Sequence, residues 1–209
     1  SQPLIDVVLF RNGAFTTFNL AIFAAQFSKI AVFVFVAIYL QDALDFGPLA
    51  AGFVILVATI PTVLTAYPTG VILDRIGSRT LVNGASAAGT IAMVLIGLAT
   101  LWDSYLLLLP ALVIWGICIS LWFVPSLRDV MNTVPPDKRG EAGGISMTAQ
   151  LLGGTVGMTI SGALYATTGA YWPIYILTAI IFAGLLVLGR RYIAPLAKPG
   201  TRSVHHSRP

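Results

Sequence analysis

The sequence predicts an all-α polytopic membrane protein, a bundle of six transmembrane helices, and three observations carry that prediction. Of its 209 residues 57% are apolar and only 10% charged, with a mean hydropathy of +0.88, whereas an ordinary globular domain carries about a quarter charged residues. Cutting the chain at its charges and at its Pro/Gly/Asp clusters leaves six apolar runs, near 14–40, 49–71, 81–101, 105–127, 143–166 and 172–189. Each is close to the roughly 20 residues that a spanning helix needs. The runs are also continuously apolar, whereas strands of a membrane barrel alternate apolar and polar residues over about ten positions.

The first run is unusual in carrying polar residues inside it. Lys29 is the only formally charged residue well within a span. Burying it costs at least about 2.5 kcal/mol on insertion scales, so such a residue is expected to face a watery cavity, although a long cation can also snorkel. Gln26 lies one turn before it at i, i+3 spacing, with Asn19 two turns further back. A stripe of this kind would line a substrate pathway and could hydrogen-bond a ligand.

The second and third runs are joined by Gly70-Val71-Ile72-Leu73-Asp74-Arg75-Ile76-Gly77-Ser78-Arg79, a charged turn punctuated by glycine. Gly70 would let the end of one helix pack closely, Asp74 would accept from backbone donors or face a helix N-terminus, and Gly77 suits a reversal at positive φ. Arg75 and Arg79 would hold the water level. In the second and fourth runs Pro61, Pro110 and Pro125 should kink or end their helices.

The fourth run also holds Cys118, a lone cysteine expected to pack in the core, and the deep Trp115 and Trp122. These indoles could stack on a lipophilic or cationic substrate or pack toward lipid. On the fifth run Gly153, Gly157 and Ser161 recur every four residues, a smooth stripe for a neighbouring helix and a surface on which helices could slide. Gln150, with Ser146 one turn before it, is a further pathway candidate or an interhelical hydrogen bond. Trp102, Tyr105, Tyr171 and Trp172 fall near the opposite ends of the runs and read as an interfacial belt.

Charge placement predicts orientation. If the spans alternate, eleven of the twelve basic residues share one side: Arg11, Arg75, Arg79, Arg128, Lys138, Arg139, Arg190, Arg191, Lys198, Arg202 and Arg208. The other side has only Asp42, Asp45 and Asp103. The positive-inside rule then places both termini and the Gly70–Arg79 turn in the cytoplasm of a multi-pass plasma (cytoplasmic) membrane protein. Residues 1–13 read as a cytoplasmic linker, 14–192 as the bundle and 193–209 as a disordered basic tail, one that anionic membrane lipid would attract. The net charge of +4 is thereby explained without nucleic acid. No cleavable signal is visible, and the absence of an initiator Met is expected of a processed or truncated chain.

The 70–79 turn resembles the signature loop of the major facilitator superfamily of transporters. The resemblance extends through Pro3-Leu4-Ile5-Asp6, Leu9-Phe10-Arg11-Asn12, Tyr39-Leu40-Gln41-Asp42, Gly47-Pro48-Leu49-Ala50-Ala51-Gly52, Arg139-Gly140-Glu141-Ala142-Gly143-Gly144 and Gln150-Leu151-Leu152-Gly153-Gly154. In order and spacing these are similar to the C-terminal half of the 14-helix drug/proton antiporter family.

The resemblance implies one six-helix half of a transporter that exports small-molecule drugs by alternating access in exchange for protons. It further implies a partner, either an N-terminal half or a second copy, because six helices supply one wall of a pathway. In such a family the turn contacts the opposite half, so Asp74 and Arg75 are expected to point to that partner. None of the eight acids lies within a span. A proton carrier would therefore sit in the other half or be Lys29.

No metalloprotease, hydrolase, phosphate-loop, Cys-x-x-Cys or dinucleotide motif occurs, which argues against an enzyme and against a bound cofactor. His205-His206 lacks neighbouring ligands at metal spacing. The competing reading from another class is a non-transporting membrane scaffold or a pore-forming oligomer, which the inside-basic hairpins suit equally.

Overall fold

Every one of the six apolar runs is helical. A computed structural model describes residues 11–192. The predicted tail at 193–209, with His205 and His206, and most of the predicted linker lie outside the described residues. Among the described residues there is no strand.

Helix α1 runs over Gly13–Asp42. Asn12 begins it: its side-chain oxygen accepts from the amides of Ala14 and Phe15 at 3.0 and 3.4 Å, satisfying donors that a helix start leaves orphaned. At Ala31–Val36 the helix widens into a π segment, two residues past Lys29. Such segments hydrogen-bond from i to i+5 and concentrate at functional sites.

The next helical stretch, Pro48–Leu101, is 54 residues long and comprises two passes, because Gly77 interrupts it at φ 78°, ψ 160°. We label its parts α2 (48–76) and α3 (78–101). That backbone conformation is open essentially to glycine alone, so Gly77 makes the reversal that its sequence position predicts. Helices α4 (Tyr105–Asn132), α5 (Arg139–Thr168) and α6 (Trp172–Tyr192) complete the bundle. Gly169, at φ 63°, closes α5 in the left-handed region.

Four stretches are long and apolar enough to cross a membrane: Gly13–Asp42, Pro48–Leu101, Tyr105–Asn132 and Trp172–Tyr192. The second supplies two crossings. Helix α5 has 30 residues, ample to span, but its glycines, serines and threonines lower its hydropathy. The protein is thus a helical, multi-pass membrane protein.

Three expectations about helix ends and packing need correction. Of the two outcomes expected at Pro61, Pro110 and Pro125, a kink or a helix end, the end is excluded: Pro61 lies inside α2 with Pro68, and α4 continues through both Pro110 and Pro125. In a span, neighbouring helices and hydroxyl side chains compensate the amide that proline lacks. Gly70 has open space where a side chain would begin, so no described helix packs closely there. Tyr171 is buried rather than part of an aromatic belt, while Trp102 stays exposed.

The bundle is held by close backbone approaches. A methyl group at Gly116 of α4 would strike the carbonyl oxygen of Ala58 on α2. Beside it the Thr62 hydroxyl donates to the Gly116 carbonyl at 2.8 Å, and Thr69 meets Ser120 at 3.2 Å. Gly89 of α3 faces the Phe182 ring of α6, with only 3.0 Å to spare for a β-carbon. Between α1 and α5 the same device recurs, at Gly153 and Gly157.

Candidate functional site

The polar residues of α1 occupy a distinctive arc. Along the middle of the helix Ala24, Ala25, Phe27, Ser28, Ala31 and Val32 are buried, whereas Phe23, Gln26, Lys29, Ile30 and Phe33 are only half-buried. Phe23, Gln26, Lys29 and Phe33 stand three or four residues apart, with Ile30 beside Lys29, so they share one side of the helix. Lys29 and Gln26 therefore lie together on the open side of α1, between the contacts it makes with α4 and α5. Phe33 and Trp115 of α4 meet nearly at right angles, with centroids 5.7 Å apart. On the α5 flank, the Gln26 Cγ would lie 3.5 Å from a methyl group on Gly154.

Lys29 has no ion pair and no hydrogen bond from its ammonium among the described residues. The one described salt bridge joins Asp74 to Arg128, far along the sequence at the helix ends. An ammonium at mid-helix without a counter-charge needs water, a ligand or another chain to solvate it.

Asn19 plays a different part from its neighbours in the stripe. It is buried, donates from Nδ2 to the Phe15 carbonyl at 3.0 Å, and accepts at Oδ1 from the Ser146 hydroxyl, also at 3.0 Å. It thus ties α1 to α5. Around this bond opens a largely apolar cavity of about 580 Å³, lined by Thr16, Asn19, Phe23, Glu141, Thr148 and Leu152 among others. Because its lining comes from the first turns of both helices, it lies toward the bundle end that the basic residues share.

On α5, Gly153 and Gly157 stand against the backbone of Phe23 and Phe27 of α1. At Gly157 a β-carbon would sit 3.0 Å from the Phe27 Cα. Ser161 continues that stripe and is fully buried. Gln150 is half-buried on the same helix, without a hydrogen bond to another described residue.

Trp115 and Trp122 lie elsewhere than either expectation put them. Each is 1% exposed, so neither faces lipid and neither offers a ring face to a ligand. Trp122 packs steeply tilted against Phe182, with centroids 4.3 Å apart and ring planes 74° apart. Both indole N–H groups are buried without a hydrogen-bond partner. Cys118 is buried on the same helix.

At the α2–α3 reversal two of the charges, Asp74 and Arg79, find partners inside the chain. Arg128, near the end of α4, donates to the Asp74 carboxylate at 2.6 Å. Arg79 donates to the Arg190 carbonyl of α6 at 2.7 Å, covering one of the acceptors exposed at that helix end. Asp74 was expected to meet a backbone donor or a helix N-terminus, and within the chain it meets Arg128 instead. Sequence reading treated Arg128 only as a topology signal, since no spacing rule links positions 54 residues apart. Arg75 is exposed, with no ion pair among the described residues.

The opposite end carries an aromatic cluster that sequence reading missed. The Tyr171 hydroxyl lies 3.1 Å from Asp42 and 3.1 Å from the Tyr165 hydroxyl. Its ring packs on those of Tyr39 and Tyr165, at 5.4 and 4.7 Å. Burial first, then the hydrogen bonds to Tyr165 and Asp42, hold the Tyr171 phenol well above its ordinary range. The α5–α6 connection is thereby fastened to the end of α1.

Comparison with known proteins agrees with this architecture. The chain is 28% identical to the riboflavin transporter RibZ of Clostridioides difficile over 170 residues, which is 81% of this chain and 37% of that protein. It is 26% identical to the multidrug resistance protein Stp of Mycobacterium tuberculosis, covering 79% of this chain and 31% of the relative. To the puromycin resistance protein pur8 of Streptomyces alboniger it is 30% identical, covering 77% of this chain and 31% of the relative. The chain thus spans about a third of the length of the curated relatives it matches. A family model described as the Major Facilitator Superfamily matches residues 16–208, nearly all of the sequence. The chain belongs to the Major Facilitator Superfamily, a family of transporters rather than enzymes.

Proposed function

We propose that the chain is the C-terminal six-helix half of a secondary active transporter. The transporter exports drugs or other lipophilic small molecules from the cell by alternating access, and a proton gradient drives the export. The observation that carries this reading is the open arc of α1, where Gln26 and Lys29 stand half-buried in an otherwise apolar bundle. Polar groups at that depth are retained where they meet a cavity or a ligand. The names of the relatives support it, since they include multidrug and puromycin resistance proteins and a riboflavin transporter.

The opposing wall comes from an N-terminal half or from a second copy. Support comes from α2 and α5, whose exposed residues include Phe53, Leu56, Ile60, Leu151 and Met158. These are surfaces on which a second six-helix unit or lipid would pack. The protein sits in the plasma membrane with both termini cytoplasmic, by the distribution of basic residues. The proton carrier is either an acid of the opposing half or Lys29. Gln150 and the α1–α5 cavity extend the pathway toward the cytoplasm, and the Asp74–Arg128 pair with Arg75 forms part of the cytoplasmic gate.

Purified whole transporter in proteoliposomes tests the proposal. Imposing a proton gradient should drive a fluorescent drug analogue against its own concentration gradient, and a protonophore should abolish the accumulation. Flux that only equalises concentrations, or no flux, would reject secondary active transport.

A further inference from the structure

From the charge balance of its wall we infer that this pathway favours anionic or acceptor-rich aromatic substrates over lipophilic cations, with Lys29 as the residue that selects charge. The inference rests on the pathway reading given above and adds the substrate class.

The first support is position. Lys29 shares the open side of α1 with Gln26, Phe23 and Phe33, so a ligand in contact with that side meets one ammonium, one amide and two aromatic rings. The second is the lack of compensation. Every described carboxylate lies at an end of the bundle: Asp42, Asp45 and Asp103 at one, Asp74, Asp129, Asp137 and Glu141 at the other. The middle of this wall therefore carries a single positive charge. Within the described residues nothing pairs with it, as the one salt bridge is Asp74–Arg128.

In a cavity of reduced dielectric such a charge repels a cation and attracts an anion, or a carbonyl or phenolate acceptor, more strongly than it would in water. The ammonium then acts as a charge-assisted hydrogen-bond donor to the ligand. Phe33, held against Trp115 by edge contact, supplies a fixed apolar surface for a flat ring system. A planar aromatic bearing a carboxylate or ring carbonyls fits this combination, whereas a lipophilic cation held beside Lys29 would need a carboxylate that the middle of this wall does not provide, the nearest in the pathway lining being Glu141 in the cavity at the basic end.

Fluorescein and rhodamine 6G share a xanthene frame and differ in charge, which makes them a suitable probe pair. Their binding to the whole transporter in nanodiscs is measured by fluorescence anisotropy for the native protein, Lys29→Met and Lys29→Arg, each checked for monodisperse behaviour. Fluorescein should bind the native protein at least about tenfold more tightly than rhodamine 6G. Lys29→Met should weaken fluorescein by about tenfold or more, the scale of one charge-assisted hydrogen bond, while Lys29→Arg retains most of the affinity.

Tighter binding of rhodamine 6G to the native protein would overturn the inference. So would unchanged fluorescein affinity in Lys29→Met, because the ammonium would then be neutralised by an acid of the opposing half. Binding of neither dye above that of lipid-only discs would overturn the pathway reading as well, and so separates the two failures.

Discussion

Replacing Gly153 by alanine should loosen α5 from α1 by an amount that the geometry bounds. The added methyl group would strike the Phe23 carbonyl oxygen, which is backbone inside a helix and cannot swing aside. The helices must separate locally, and overpacking of this kind costs about 1–3 kcal/mol. Alanine also gains up to about 1 kcal/mol of helix propensity over glycine, which would mask part of the loss. Gly162→Ala isolates that gain, because Gly162 lies on the same helix with nothing within 4 Å of a β-carbon. Unfolding of both variants in mixed detergent micelles, followed by circular dichroism, should place Gly153→Ala about 1–3 kcal/mol below Gly162→Ala. Equal stability would refute the close α1–α5 approach.

Other consequences can be checked in the same preparations. Gly77→Ala forces a β-carbon into a conformation open to glycine alone and should cost about 1–3 kcal/mol, read as a lowered thermal midpoint. A double-mutant cycle on Asp74 and Arg128 should give a coupling below about 1 kcal/mol that shrinks with salt, because both side chains are more than half exposed. Asp74→Asn should therefore insert normally, and a loss of transport with stability intact would assign the pair to gating. Ser146→Ala removes the donor to the Asn19 oxygen and should cost about 0.6 kcal/mol, at most about 2.

The Tyr171 phenol offers a pH test. Its folded value is raised above the ordinary 10. The folded state therefore holds that proton more firmly than the unfolded one, so stability should be constant below about pH 10 and fall as pH rises further. Tyr171→Phe should flatten that fall.

Much of the fold was legible in the sequence because lipid imposes a simple rule. A span must be continuously apolar and helical, so composition and the spacing of charges located all six helices and the Gly77 reversal. Helix ends were less legible. Asn12 caps α1, and α4 runs on to Asn132 past the charges at Arg128 and Asp129, because polar residues continue a helix once it leaves the apolar layer. The site was only partly readable. Periodicity put Gln26 and Lys29 on one side of α1, but it could not separate them from Asn19, which Ser146 draws into a helix–helix contact.

Trp115 and Trp122 show the same limit, since hydropathy cannot distinguish a residue facing lipid from one facing another helix. The Asp74–Arg128 and Asp42–Tyr171 contacts join residues 54 and 129 positions apart and depend on tertiary placement. The π segment at Ala31–Val36 has no pattern that marks it among apolar residues.

The most direct measurement is cysteine accessibility along α1, made in a Cys118→Ala background. Gln26→Cys and Lys29→Cys on the open arc should react with a membrane-impermeant thiol reagent, and bound ligand should slow that reaction. Ala25→Cys and Ser28→Cys, at buried positions one residue away, should stay unlabelled. Equal labelling at all four positions, or none at any, would contradict a water-filled pathway along this side of the bundle.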